Sequence, residues 1–238
     1  MSKTAIILAA GRGTRLTHYT KSTPKCLLDI KGKALIVRQL VSLTGAGIEK
    51  FIIVGGYHFD QLKNFLESDE MARFDTTLIY NPFFAVSNSV ASLWFARDYL
   101  NGDVFITNSD TYYESQILEK MSHNSENYVF GIDEGRYNDA DYGVTISDGY
   151  VVDMGKDIPR NEISAEYIGI ALIRNSGLET FKTLLDGYML SGNLDCWWED
   201  IFISLISKGK LISYEDVSDN VWFEIDTPRD YRRSQRFF

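Results

Sequence analysis

Apolar positions in the first 110 residues fall into short blocks separated by helical spacings. Residues 4–8 form an apolar run ending near glycine, the pattern of a strand buried in a parallel sheet. In residues 34–46, Leu35, Ile36, Leu40 and Leu43 recur at helical spacing, and Gly45 and Gly47 close the segment. Residues 51–54 predict a second buried strand stopped by Gly55-Gly56, and residues 58–66 a helix with Leu62, Phe65 and Leu66 inward. Residues 76–80 predict a third strand, and residues 88–100 a helix burying Val90, Leu93, Trp94 and Ala96. A fourth strand, 104–107, runs into Asn108-Ser109-Asp110. Strand and helix alternate, which implies an α/β fold with parallel strands joined by right-handed crossovers.

The second half is less regular. Strands are expected at 128–132, 143–146, 150–153 and 167–173, with a turn at Asp148-Gly149. Helices are expected at 178–190 and 197–206, strands at 211–214 and 221–225, and a last helix capped by Thr227 with Pro228 at its first position. No repeat, low-complexity tract or linker interrupts the chain. A single domain over residues 1–238 is expected, with 1–110 mainly nucleotide-binding and 111–238 mainly acceptor-binding.

Composition narrows the function. A chain of 238 residues, 45% hydrophobic, can bury a sizeable core. No apolar run approaches the ~20 residues of a membrane span. The apolar stretch 5–10 runs straight into Gly-Arg-Gly, unlike a signal peptide, so a cytoplasmic protein with no membrane partner is expected. Cys26 and Cys196 lie far apart without metal-ligand spacing and read as free thiols. The formal charge of −9 argues against nucleic-acid binding. Against that acidic background, Arg12, Arg15, Lys21 and Lys25 crowd into one turn-rich segment.

That segment opens with Ala9-Ala10-Gly11-Arg12-Gly13-Thr14-Arg15-Leu16, directly after the first strand. Small residues let the backbone approach a phosphate, and successive N–H groups form an anion-binding concavity. Arg15 adds a planar fork for phosphate oxygens, and Lys25, after Thr23-Pro24, a compact second charge. The third glycine of a dinucleotide loop is missing, and no Gly-x-x-x-x-Gly-Lys-Ser/Thr occurs. Two aspartates, Asp110 and Asp226, each follow a predicted strand. Two carboxylates beside substrate phosphates suit Mg²⁺, although for either aspartate alone a helix cap is the more frequent job. His18, His58 and His123 are scattered in polar contexts.

Leu8-Ala9-Ala10-Gly11-Arg12-Gly13-Thr14-Arg15-Leu16 with Thr23-Pro24-Lys25-Cys26-Leu27-Leu28 resembles the signature of the sugar-phosphate nucleotidyltransferases. The resemblance implies a Rossmann-like three-layer α/β/α fold with a mixed, mostly parallel sheet. It further implies a loop of Leu8, Ala9, Ala10, Gly11 and Gly13 around a nucleoside triphosphate, with Arg15 and Lys25 on its phosphates. Asp110 and Asp226 are implied as Mg²⁺ ligands, and Glu-Ile-Asp-Thr-Pro at 224–228 as the C-terminal motif.

Within that superfamily, Asn88-Ser89-Val90-Ala91-Ser92-Leu93 resembles bacterial phosphocholine cytidylyltransferases and relatives acting on small phosphonates. Asn88 and Ser89 are then base-side candidates, Ser89 being equally readable as a plain helix start. Cys196-Trp197-Trp198-Glu199-Asp200 resembles the segment lining the choline site, which makes Trp197 and Glu199 acceptor candidates, with core packing as the rival reading. Tyr112, Tyr142, Lys156, Glu166, Tyr167 and Glu224 are placed with them. The expected reaction joins CTP, or another nucleoside triphosphate, to a small phosphorylated or phosphonate acceptor and releases pyrophosphate. A uridylyl- or thymidylyltransferase for sugar 1-phosphates is the alternative, and a catalytically silent nucleotide-binding subunit a third.

Overall fold

A computed structural model describes residues 3–16, 18–138 and 140–237. The first half contains β1 Lys3–Ala9, β2 Asp29–Ile30, β3 Lys33–Ala34, α1 Leu35–Gly45, β4 Ile48–Gly55, α2 Phe59–Leu66, β5 Asp75–Tyr80, α3 Ser89–Phe95 and β6 Val104–Asn108. There follow β7 Thr111–Tyr113, α4 Ser115–His123, β8 Tyr128–Asp133, β9 Gly143–Ser147, β10 Tyr150–Gly155 and β11 Ala165–Ile173. The chain closes with α5 Leu178–Leu190, α6 Asp200–Ser207, β12 Ser213–Asp216, β13 Trp222–Glu224 and α7 Pro228–Ser234.

One mixed sheet organises the molecule in the order β10-β9-β11-β6-β1-β4-β5, with β8 pairing off β11 and β12 pairing with β8. β6, β1, β4 and β5 run parallel, as the alternating first half predicts. β11 joins β6 antiparallel, so the C-terminal ends of the parallel strands face a different kind of neighbour. Ligand sites of open α/β sheets form at such places. Side chains alternating along the buried strands fill both faces. Ile6, Val54 and Ile106 pack with Leu93 of α3, Phe181 of α5 and Phe202 of α6, while Ile7 and Phe51 pack with Leu40 of α1, Leu62 of α2 and Ile117 of α4. A third, smaller cluster joins Leu16, Leu28, Ile30, Leu35, Phe223 and Ile225. It ties the glycine loop to the segment carrying Asp226.

Several expectations are revised. The helix expected over 88–100 ends at Phe95 and continues as a short 3₁₀ turn, Arg97–Tyr99. Trp94 is exposed rather than buried, and its indole N–H donates to Asp186 at 3.1 Å. The helix expected from residue 197 begins at Asp200, whose carboxylate accepts the Trp197 backbone N–H at 2.8 Å. Trp197 and Trp198 therefore lie on a turn, free to point in different directions. Thr227 does cap α7, in a full capping box with Asp230, which leaves the Asp226 side chain unused by the helix.

Candidate active site

The parallel strands end at a cavity of about 350 Å³. Leu8, Ala10, Gly11, Gly13, Arg15 and Lys25 line it, together with Asn88 and Ser89. Asp110, Glu224 and Asp226 line it too, as do Tyr142, Lys156, Tyr167, Trp197 and Glu199. Elements from both halves of the chain thus meet in one hollow.

Backbone conformation shapes the loop. Gly13 sits at φ +60, a left-handed conformation that favours glycine, and a Cβ there would meet Thr20 at 3.0 Å. Gly11 faces open space, with nothing within 4 Å of an added Cβ. Ala9, expected among the nucleotide-binding residues, does not line the cavity. It packs with the cluster under α1 because its neighbours Leu8 and Ala10 take the opposite face.

Asp110 occupies the tight turn between β6 and β7, away from any helix start. Buried Gln39 clamps that turn by donating to the Asn108 and Thr111 carbonyls at 2.8 and 2.6 Å. The Ile225 N–H donates to the Asp110 carbonyl at 3.0 Å, and Glu224 lies opposite Thr111 in the β13–β7 pair. This short ladder brings residues over a hundred positions apart together. Carboxylate oxygens of Asp110, Glu224 and Asp226 lie within 4.8 Å of one another. Three hard oxygen donors beside the glycine loop are a chemically suitable set for Mg²⁺. Glu224, expected on the acceptor side, joins this cluster.

Lys25 Nζ lies 2.8 Å from Asp110 Oδ2 and also contacts Asp226, while Arg15 reaches Asp226 at 2.6 Å. Burial works against the Lys25 charge, but the two aspartates outweigh it and its pKa is raised. Burial likewise pushes Asp226 up, yet Lys25, a hydrogen bond from Glu224 and Arg15 hold it below its ordinary value. Glu224 is raised well above the usual range by burial and by its two aspartate neighbours.

Next to Ser89, Trp198 is fully buried, whereas Trp197 lines the cavity. The Trp198 indole N–H donates to Asn108 Oδ1 at 3.0 Å, and Asn108 Nδ2 donates to Glu199 Oε1 at 3.1 Å. Asn108, at the end of β6, thereby orients the buried Glu199, whose carboxyl burial pushes up to about 7. Sequence reading missed this role for Asn108, although its place just before Ser109-Asp110 at a strand end was a usable signal. Tyr142 stands 5.9 Å from both Trp197 and Tyr167, ring centre to ring centre. Lys156 lies 5.0 Å over the Trp197 ring and 2.9 Å from Asp141.

Two other expectations change. Tyr112 does not line the cavity; the alternation of β7 turns it away from Thr111, and it stacks on Phe223 at 5.1 Å. Glu166 lies under Asp141 in an adjoining cavity of about 230 Å³, accepting the Asp141 N–H at 3.2 Å. The Ser89 hydroxyl accepts the Trp198 N–H at 2.9 Å, and Asn88 caps α3 through Ser89 N. Both line the cavity while serving the fold.

The domain model described as the MobA-like NTP transferase domain matches residues 5–139. The chain belongs to this MobA-like family. Among relatives of this NTP transferase, the choline-phosphate cytidylyltransferase of Haemophilus influenzae is 32% identical, across 95% of this chain and 94% of that one. The CTP:phosphoglutamine cytidylyltransferase of Campylobacter jejuni is 28% identical, across 95% and 96%. The solved CTP:phosphocholine cytidylyltransferase of Streptococcus pneumoniae superposes with a TM-score of 0.81 at 25% identity, covering 99% of this chain and 98% of that one. The three-layer Rossmann-like fold with its mixed sheet is that of the nucleotidyltransferases, and the protein is a nucleotidyltransferase. Among the described residues, no helix is long and apolar enough to cross a membrane.

Proposed function

We propose that this enzyme transfers the cytidylyl group of CTP to a small amine-bearing phosphate or phosphonate, with Mg²⁺, and releases pyrophosphate. The observation that carries the reading is a single cavity joining the glycine loop, the Asp110–Glu224–Asp226 carboxylates and an aromatic-walled end holding Glu199. The relatives' names point the same way, since they cover phosphocholine and phosphoglutamine as partners for CTP.

In this reading Gly11, Gly13 and Arg15 bind the triphosphate, and Asn88 and Ser89 border the base. An acceptor oxygen, already anionic at neutral pH, attacks the α-phosphorus. The bond to the β-phosphate oxygen breaks, and pyrophosphate leaves with that electron pair. No general base is needed, and among the described residues no histidine lines the cavity. Lys25 stabilises phosphate charge, and Asp110 and Asp226 would hold Mg²⁺, assisted by Glu224. When bound, the ion neutralises phosphate charge and orients the triphosphate. Tyr142, Tyr167, Trp197 and Glu199 enclose the acceptor's amine end.

The test is pyrophosphate release with Mg²⁺ across a matrix of nucleoside triphosphates and acceptors. Turnover confined to CTP with small amine phosphates or phosphonates supports the proposal. Turnover of UTP or dTTP with glucose 1-phosphate replaces it, and nucleotide binding without any turnover points to a silent subunit.

A further inference from the structure

The turn between β4 and α2, residues 56–58, lines no part of the active-site cavity, yet it grips the glycine-loop segment at two points. The Tyr57 N–H donates to the Ala10 carbonyl at 3.1 Å, where the loop begins. Further along, the Lys21 carbonyl accepts from both the Tyr57 hydroxyl and His58 Nε2, each at 3.1 Å. A carbonyl oxygen only accepts, so the His58 ring carries a proton on Nε2. Next to Lys21, the Thr20 hydroxyl donates to the Gly13 carbonyl at 2.9 Å, which passes the anchor on to the loop itself. The segment carrying Gly11, Gly13 and Arg15 is thus tied at both ends to one turn.

The turn is shaped for this approach. Gly56 leaves no room for a side chain, since a Cβ there would fall 2.5 Å from Phe84 and 2.9 Å from Ala10. His58 stands at φ +52, a left-handed conformation uncommon for any residue but glycine. It also opens α2 without a side-chain cap bond, where Ser, Thr, Asp or Asn would ordinarily serve. Its ring is committed to Lys21 instead. Backbone strain of this kind persists only where surrounding contacts impose it, and it gathers at functional segments.

We propose that Tyr57 and His58 are positioning residues, which hold the glycine-loop segment from outside the cavity in the form that receives the triphosphate. The nucleotide then binds a loop already ordered and loses less affinity to ordering it. Two donors on one oxygen make the tie redundant, either one holding Lys21 when the other is removed. This rests on the reading of the loop as the triphosphate site.

The experiment measures Kd by calorimetry for CTP and for inorganic triphosphate, each with Mg²⁺. The proteins are the unmodified chain, Tyr57→Phe, His58→Gly and the double variant. Glycine takes the left-handed conformation without strain. Each single variant should weaken both probes by less than about threefold, and the double variant by about tenfold or more, because only the double loses the tie. Melting temperatures should stay within about 3 degrees of one another, since relief of strain at residue 58 offsets the lost bond. His58→Gln in the Tyr57→Phe background, which returns an N–H donor, should restore part of the lost affinity. A double variant that binds both probes as tightly as the unmodified protein overturns the inference and leaves the triphosphate site standing. Weakened binding accompanied by a fall of about ten degrees in melting temperature shows a merely structural role and also overturns it. Binding of neither probe by the unmodified protein removes the underlying reading, and the inference with it.

Discussion

Lys25 Nζ sits 2.8 Å from the Asp110 carboxylate, and the same ammonium contacts Asp226, to which Arg15 is also paired. The carboxylates suited to a metal are thus neutralised from within when no nucleotide is present. Phosphate oxygens offer Lys25 and Arg15 an alternative anion. Metal affinity should therefore depend on nucleotide. Mn²⁺ binding followed by electron paramagnetic resonance should be weak for the free enzyme and strengthen at least about tenfold with a non-hydrolysable CTP analogue. Lys25→Met should bind Mn²⁺ more tightly than the unmodified protein without nucleotide. Equal Mn²⁺ affinity with and without nucleotide would count against this coupling.

Asp110→Asn keeps the shape of the side chain but removes its charge. Because the β6–β7 turn is held by Gln39 and by Ile225 N–H through backbone atoms, the circular-dichroism spectrum should be unchanged. Turnover should fall by at least about a hundredfold, the scale of losing one preorganised charge in a reaction driven by electrostatics. Near-normal rates would remove Asp110 from the metal assignment.

The two loop glycines should respond differently to alanine. Gly13→Ala forces a left-handed residue and a 3.0 Å contact with Thr20, so it should cost about 1–2 kcal/mol and lower the melting temperature by several degrees. Gly11→Ala meets no protein atom, so it should melt normally while raising KM for the nucleotide. Calorimetry and nucleotide titration check the pair; equal melting losses would show that both glycines serve the fold alone.

Much of this site was legible in the sequence because its parts are local. The strand–glycine-loop junction from Leu8 to Leu16 and the strand-end positions of Asp110 and Asp226 depend on a few adjacent residues. Other features are set by tertiary contacts. The pairing of Lys25 with Asp110 and Asp226 joins residues 85 and 201 positions apart. Tyr112 failed as an acceptor candidate because only the β7–β13 pairing decides which face of a three-residue strand is inward. Asp200 accepts the Trp197 N–H and holds Trp197 and Trp198 in a turn, which lets one line the cavity and the other enter the core. Periodicity reads helices and strands, and cannot resolve such a turn.

Glu199 and Glu166 are each pushed by burial up to about 7, from a value of 4.5. Between those values the folded protein keeps protons that the unfolded chain has released. The contribution of these two groups to stability should therefore fall as pH rises from about 4.5 to about 7 and level off above. Denaturant titrations of Glu199→Gln, which retains an oxygen for Asn108, should show a shallower fall, with the Glu166 contribution remaining. An unchanged slope would contradict the assignment to Glu199.

The central claim, CMP transfer to a small amine phosphate, is tested most directly by the product itself. CTP, Mg²⁺ and phosphoethanolamine are incubated with the enzyme and the mixture is followed by ³¹P NMR and mass spectrometry. The predicted result is a new diphosphate with the mass of CMP joined to the acceptor, formed one for one with pyrophosphate. No such diphosphate from any amine phosphate or phosphonate, with a sugar nucleotide formed from glucose 1-phosphate instead, would contradict it.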